Sequence, residues 1–342
     1  MTTRPSAKIT TTTYLDRFGS LSLIALLFLL TACDGSKSPN KSWENAVKGT
    51  YSASLSQDGT LSIIGSITHG GSLWSTRNNE RRFNWNHDAA GEPTNIIASG
   101  FSPNGLFALT ADHQTMVLWD TTTGQAITFW AAPNEVMSVA LTPDGNYALL
   151  GLGDYTAVLF DVKRGGIQRT FYHQGRVRSV ALSADGQLAI SGSEDRTAKL
   201  WDVTSGKELF SWDHEEEVVT VAIAANGKKA LSVAKYDKAV IWDTTSGKAL
   251  GNLPLTASSI KRGQTFTSAR FSSNGALLLT GNSNRLVQLW DTLSLKELAS
   301  WTVPKRDPWK PTSASIVAVS FSGKQGVYYA IASNGFTHQL KR

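Results

Sequence analysis

Apolar and polar residues alternate along short stretches that recur through most of the chain. The clearest of them end on an aromatic residue, as in TMVLW, TAVLF, TAKLW, KAVIW and LVQLW. Alternation with a period of two points successive side chains to opposite faces, which is typical of β-strands and not of helices. The pattern therefore predicts a chain built mainly from short strands.

Two markers divide these strands into repeating units. The first is an aromatic–Asp pair with spacings of 41, 41, 41 and 48 residues: Trp119-Asp120, Phe160-Asp161, Trp201-Asp202, Trp242-Asp243 and Trp290-Asp291, with Trp74-Ser75 as a weaker copy. The second is an Asp-Gly or Asn-Gly pair, which favours a hairpin turn because its glycine can take a positive φ. Its copies are Asp58-Gly59, Asn104-Gly105, Asp144-Gly145, Asp185-Gly186, Asn226-Gly227 and Asn274-Gly275. Each unit holds about four strands, and seven units can be counted.

The markers resemble those of the WD-repeat family, whose repeats are about 40–45 residues long with four strands each. The resemblance covers nearly all of residues 43–342 and is clearest at 177–212. It implies an all-β fold, a seven-bladed β-propeller of four-stranded antiparallel blades. The last unit, from Ile316, supplies three strands, so we expect the segment around Trp43 to complete that blade and close the ring.

The N-terminal segment predicts export. A basic stretch precedes a 13-residue apolar run, 18–30, which is too short to span a bilayer but has the length of a signal-peptide core. The run ends in Leu30-Thr31-Ala32-Cys33, which resembles the lipobox of bacterial lipoproteins. The alternative is an ordinary secretory signal with a chance cysteine.

The lipobox resemblance implies several further expectations. Residues 1–32 are the signal peptide that is removed, and Cys33 carries a diacylglycerol and an N-acyl chain. Residues 33–42 are a flexible tether. Asp34 follows the cysteine, which in enterobacterial lipoproteins favours retention at the inner membrane, so the periplasmic face of that membrane is preferred over the outer membrane.

The family resemblance also implies a buried hydrogen-bonded relay in the blades, which satisfies polar groups inside a β-core. The match is full in the fourth unit, with His173, Ser191, Asp195 and Trp201. We expect a structural role for these four residues and not a catalytic one. The fifth unit lacks the aspartate, and the third unit lacks the histidine and the tryptophan.

Two long basic blade junctions are the candidate partner-binding sites. They contain Lys261 and Arg262 in the first, and Lys305, Arg306, Trp309 and Lys310 in the second. An aromatic residue among cations on a long loop is a plausible interface hot spot. The alternative is a solvated loop whose tryptophan packs against its own blade.

Composition narrows the function further. The net charge of +6 is too modest to imply nucleic acid, and a single cysteine excludes a disulfide within the chain. We find no metal-ligand spacing, phosphate-binding glycine loop or nucleophile elbow. The sequence therefore predicts a non-enzymatic, monomeric scaffold that binds proteins in the cell envelope without a cofactor. The alternative is an enzyme or a small-molecule or glycan binder that uses the central channel, against which the apolar innermost strands argue.

Overall fold

The computed structural model describes residues 1–2, 35–88, 92–255, 265–309 and 314–342. All strands found there lie in the compact unit Lys37–Arg342. In chain order they are β1 (Lys41–Glu44), β2 (Thr50–Leu55), β3 (Leu61–Ser66), β4 (Gly70–Ser75), β5 (Glu80–Asn84), β6 (Ala98–Phe101), β7 (Phe107–Ala111), β8 (Thr115–Asp120), β9 (Ala126–Ala131), β10 (Val136–Leu141), β11 (Tyr147–Leu152), β12 (Thr156–Asp161), β13 (Ile167–Tyr172), β14 (Val177–Leu182), β15 (Leu188–Ser193), β16 (Thr197–Asp202), β17 (Glu208–Asp213), β18 (Val218–Ile223), β19 (Lys229–Ala234), β20 (Ala239–Asp243), β21 (Ala249–Leu253), β22 (Phe266–Phe271), β23 (Leu277–Asn282), β24 (Leu286–Asp291), β25 (Glu297–Thr302), β26 (Ile316–Phe321), β27 (Val327–Ala332) and β28 (Phe336–Lys341).

The strands form seven four-stranded antiparallel sheets, which are the blades of a propeller. Blades 1 to 6 are β2–β5, β6–β9, β10–β13, β14–β17, β18–β21 and β22–β25, and blade 7 combines β26–β28 with β1. The innermost strands β2, β6, β10, β14, β18, β22 and β26 contact one another in that order, and β26 contacts β2 again. The predicted all-β, seven-bladed fold is therefore confirmed.

The two sequence markers lie at two of the three hairpins in blades 1 to 6. Gly59 and Gly145 have φ of 67° and 63° in the turns between the first and second strands, a conformation that glycine adopts without a steric penalty. The aspartate of the aromatic–Asp pair caps the turn between the third and fourth strands. Asp243 Oδ1, for example, accepts from the backbone N–H of Thr245 at 3.1 Å and of Ser246 at 2.7 Å.

Hydroxyl groups on the innermost strands join neighbouring blades. Bonds of this kind to the backbone of the next blade include Ser52 to Ile96 O (2.7 Å), Ser138 to Val180 N (3.1 Å), Ser179 to Val221 N (3.1 Å), Thr220 to Phe266 O (2.8 Å), Ser268 to Ile316 O (3.0 Å) and Ser320 to Ser56 O (2.8 Å). Apolar side chains pack around these bonds, so each blade interface combines buried surface with satisfied polar groups.

The N-terminal strand closes the ring, as predicted. β1 pairs antiparallel with β28, with Trp43 opposite Thr337. Pairing extends upstream of β1, because Lys37 exchanges backbone hydrogen bonds with Ser300 O (2.8 Å) and Thr302 N (2.9 Å) of β25. The last residues of the segment predicted as a tether thus bond to the propeller, Lys37 to the outer strand of blade 6 and Asn40 to β28 of blade 7, and the compact unit begins at Lys37.

No helix in the described part of the chain is long and apolar enough to cross a membrane. Residues 3–32 of the predicted signal peptide and Cys33 lie outside the described residues.

Candidate functional site

The loops that connect successive blades lie on the same face of the ring as the turns between the second and third strands. We call this the junction face; it includes Gln174, Asp195 and residues 304–309. Two contacts establish the shared face: His173, in a blade junction, bonds to Asp195 in such a turn, and Arg306 reaches Asn334 in the same way. The turns between the third and fourth strands, including Leu293, lie on the opposite face.

Beneath the junction face, blade 4 brings together His173, Ser191, Asp195 and Trp201. Trp201 Nε1–H donates to Ser191 Oγ at 2.8 Å, and Ser191 Oγ lies 2.7 Å from His173 Nε2. His173 Nδ1 lies 2.9 Å from Asp195 Oδ2. Because the indole can only donate, the network is satisfied when the serine hydroxyl donates to Nε2 and Nδ1–H donates to the carboxylate.

The carboxylate of Asp195 anchors this relay. Burial alone would raise its pKa, but hydrogen bonds from His173, the Gln174 N–H and Thr197 outweigh that effect and hold the pKa well below its ordinary value. Ser191 and His173 are buried, so no substrate can reach the serine. The arrangement orders the junction and the turn, and it has none of the access that a hydrolytic triad needs.

Blade 2 contains a second relay, which sequence reasoning missed. Trp119 Nε1–H donates to Thr110 Oγ1 at 2.8 Å, and His87 Nε2 lies 2.8 Å from the same oxygen. His87 Nδ1 lies 2.6 Å from Thr115 Oγ1 and 3.2 Å from Asp112 Oδ2. Burial lowers the pKa of His87, and Asp112 raises it by less.

Other blades retain parts of the relay. In blade 5, His214 Nε2 lies 2.9 Å from Ser232 Oγ, to which Trp242 donates at 2.7 Å. Burial lowers the pKa of His214, while Asp237, beside Tyr236, raises it by less. Blade 6 keeps the Trp290–Thr280 bond at 2.9 Å.

Of the predicted partner-binding residues, the structure describes Lys305, Arg306 and Trp309, all in the junction before blade 7. The Arg306 guanidinium bonds to Glu44 Oε1, Ala46 O and Asn334 O, each at 2.7 Å, and it stacks 5.0 Å from the centre of the Phe336 ring. Arg306 therefore ties the loop to the closing strand. Sequence reasoning assigned it to partner binding, because the fold of the closure was needed to see these acceptors.

Trp309, three residues further on, has no such packing. Its side chain is 94% exposed, while its backbone N–H is held by Asp307 Oδ1 at 3.0 Å. The indole of Trp309 is thus solvated and not packed against its own blade. Lys305 is partly buried, and Lys261, Arg262 and Lys310 lie outside the described residues.

The family model for the WD domain, G-beta repeat, matches residues 165–202 and 258–291. The first match runs from the outer strand of blade 3 to the Trp201-Asp202 pair, and the second ends at Trp290-Asp291. The chain carries WD repeats. Together with the seven-bladed ring, this supports the WD-repeat propeller family. No curated protein matches the chain.

The propeller has a central channel lined by its innermost strands. The described residues contain no group of three His, Cys, Asp or Glu side chains suited to hold a metal. The channel does contain one residue that sequence reasoning missed, Arg270 on β22.

Proposed function

We propose that this protein is a membrane-anchored WD-repeat lipoprotein that acts as a protein–protein interaction scaffold in the bacterial cell envelope. The main observation in support of a scaffold is Trp309, whose indole is almost fully exposed on the junction face. WD-repeat propellers commonly mediate protein interactions, and the long junction before blade 7 offers such a contact point.

The chemistry of Trp309 supports this role. Tryptophan dominates interface hot spots because it buries a large apolar surface and loses little conformational freedom. A partner that covered this exposed indole would bury a large apolar surface. Arg306 holds the base of the same loop against Glu44 and Asn334, which reduces the ordering cost of binding.

The anchor rests on sequence. Leu30-Thr31-Ala32-Cys33 follows an apolar run of signal-peptide length. Two or more acyl chains on Cys33 would give stable attachment, because one chain alone binds a membrane only marginally. Asp34 favours the inner membrane, with the propeller in the periplasm. We propose a monomeric scaffold without catalytic activity or a cofactor.

The scaffold is tested by chemical crosslinking in native envelopes, followed by mass spectrometry of the tagged full chain. The test variant is Trp309→Ala. The matched control is Leu293→Ala, because Leu293 is a comparably exposed apolar side chain, at 90%, on the opposite face. We expect a protein partner to be lost from Trp309→Ala and retained in Leu293→Ala. Equal partner sets in wild type and both variants would show that the junction before blade 7 is not the interface.

The anchor is tested separately with Cys33→Ser. We expect this variant to leave the membrane fraction, and wild type to resist extraction by high salt and to partition into detergent. A Cys33→Ser protein that fractionates like wild type contradicts the lipoprotein assignment, and it leaves the crosslinking result unaffected.

A further inference from the structure

The central channel consists of two cavities with volumes of about 260 Å³ and 480 Å³. The smaller one opens towards the turns between first and second strands and is lined there by Gln57 and Pro103. The larger one opens towards the junction face, near Tyr51 and Met137. Arg270 lines both cavities and therefore lies between the two ends.

Arg270 differs from every equivalent residue around the ring. The innermost strands pair with the second strands in a repeated register, in which Arg270 faces Leu279 and Ala181 faces Ile190. At this register position the other six blades have small residues: Ser54, Gly100, Ala140, Ala181, Ala222 and Ser320. These small side chains leave room for one long cation inside the channel.

No carboxylate of the described residues lies within ion-pair distance of the Arg270 guanidinium. Asp58 is the carboxylate that acts on it electrostatically, and Asp58 is already bonded to Ser56 and Thr60. Burial lowers the pKa of Arg270 to about 10, with Asp58 opposing, so the side chain is charged at neutral pH. A partly buried cation that has no carboxylate in ion-pair contact is costly unless something else compensates it.

The walls around Arg270 combine apolar and hydroxyl-bearing side chains. Val139 and Val221 contribute apolar surface to both cavities. Ser54 Oγ and Ser99 Oγ bond to each other at 3.0 Å, so one hydroxyl proton of this pair remains available as a donor. The site therefore offers a positive charge without an ion-pair partner and a spare hydroxyl donor, between walls of apolar and hydroxyl-bearing side chains.

We propose that the channel binds a small organic carboxylate, with Arg270 as its anchor and the Ser54–Ser99 pair as an additional donor. The planar guanidinium matches a carboxylate in two parallel hydrogen bonds. A single charge suits a carboxylate monoanion better than a phosphate dianion, which would keep an uncompensated charge in the channel. This site is independent of the protein partner proposed for the junction face.

Arg178 provides a matched control. It lies on β14 at the junction-face end of the channel, where it lines the larger cavity, but it already pairs with Glu194 at 2.7 Å. Its charge is therefore compensated, and we expect it to add little to carboxylate binding.

The test uses the full chain in a neutral detergent near neutral pH, titrated with a monocarboxylate, sodium acetate or sodium propionate. Sodium chloride keeps the ionic strength constant, and sodium phosphate is run in parallel. Binding is followed by the rise in thermal midpoint and by line broadening of carbon-13 acetate. The variants are Arg270→Met, Arg270→Lys and the control Arg178→Met.

We expect a saturable rise with a carboxylate in wild type and Arg178→Met. Arg270→Met should weaken binding by at least about tenfold, because it removes hydrogen bonds to a charged group; Arg270→Lys should fall between them. Arg270→Met should fold with an unchanged or higher midpoint in chloride alone, since it removes an unpaired cation. The proposal is overturned if carboxylates act equally on wild type and Arg270→Met, if phosphate binds more tightly through Arg270, or if no anion binds.

Discussion

Blades 3 and 4 fill one interior position with opposite chemistry. In blade 4 the position is Ser191, bonded to His173 and Trp201. In blade 3 it is Leu150, which is fully buried beside Phe160. The two positions are equivalent, because each is the fourth residue of the second strand and pairs with a valine of the innermost strand.

The difference shows that the blade does not require the relay. Blade 3 has Ala132 and Phe160 where blade 4 has His173 and Trp201, so every polar member except the turn aspartate has been replaced. Neither blade leaves a polar group of this interior unpaired. Blade 3 fills these positions with apolar residues, and blade 4 gives each polar atom of the relay a partner. A mixture of the two should be worse than either.

The largest effect should come from removing one member of the blade 4 relay, so that the other polar groups stay buried without partners. Ser191→Ala leaves both His173 Nε2 and Trp201 Nε1 buried without their partner, and we expect a loss of about 3–4 kcal/mol in the free energy of unfolding. Denaturant unfolding followed by tryptophan fluorescence measures it. Ser211→Ala, an exposed position on β17 of the same blade, is the control and should change stability by less than about 0.5 kcal/mol. Similar losses for both variants would mean that the relay is not what stabilises blade 4.

Lowering the pH should destabilise the blades that bury a histidine, but not blade 3, which has none. The clearest case is His338 in blade 7, whose pKa burial lowers from 6.5 to about 4. Its Nδ1 bonds to Ser42 of the closing strand at 2.8 Å, and its Nε2 is buried without a partner. Below about pH 6.5 the unfolded chain binds the proton more tightly than the folded one, so stability is complete above that pH and falls as the pH approaches 4.

For His338 this loss should reach about 3 kcal/mol at pH 4. Unfolding titrations from pH 7.5 to 4 measure it, with His338→Gln as the variant that cannot titrate. The variant should show a shallower fall, and the remaining slope belongs to groups such as His87 and His214, whose pKa values are also lowered. Identical pH profiles for wild type and variant would contradict this assignment.

A smaller loss of stability is expected when the relay residues of blade 4 are all replaced by their blade 3 equivalents. The triple variant His173→Ala, Ser191→Leu, Trp201→Phe removes the relay as a unit, so we expect a loss of about 1–2 kcal/mol, less than for Ser191→Ala alone. The same denaturant unfolding measures it. A triple variant that is less stable than Ser191→Ala would show that the apolar solution is specific to blade 3.

The smallest effect should come from the Arg306 contacts that hold the closure of blade 7. The ion pair with Glu44 is partly exposed, so Arg306→Met should cost only about 1 kcal/mol. Amide hydrogen exchange should locate the loss in β1 and β28 and leave blade 4 unchanged. An equal increase in exchange in both blades would indicate a global effect instead.

Features that depend on residues close in the chain could be predicted from the sequence, whereas most contacts between distant residues could not. Alternation and the Asp-Gly and Asn-Gly turns predicted the strands and the blades, because each depends on residues close in the chain. The closure joins distant residues, and it was predicted because the last unit lacks a fourth strand. The relay of blade 2 was missed because the longer junction places His87 23 residues before Thr110, whereas His173 stands 18 before Ser191. Arg306 and Arg270 could not be interpreted, because their surroundings come from strands on other blades.

The interaction face is tested most directly by a photocrosslinking amino acid placed at position 309 or at position 174. Both positions lie on the junction face, Trp309 on a long junction before blade 7 and Gln174 on a short one before blade 4. Full chains with either substitution are irradiated in native envelopes, and the adducts are identified by mass spectrometry. The account predicts a protein adduct from position 309 that is absent or much weaker from position 174. Adducts of equal yield from both positions, or none from position 309, would contradict it.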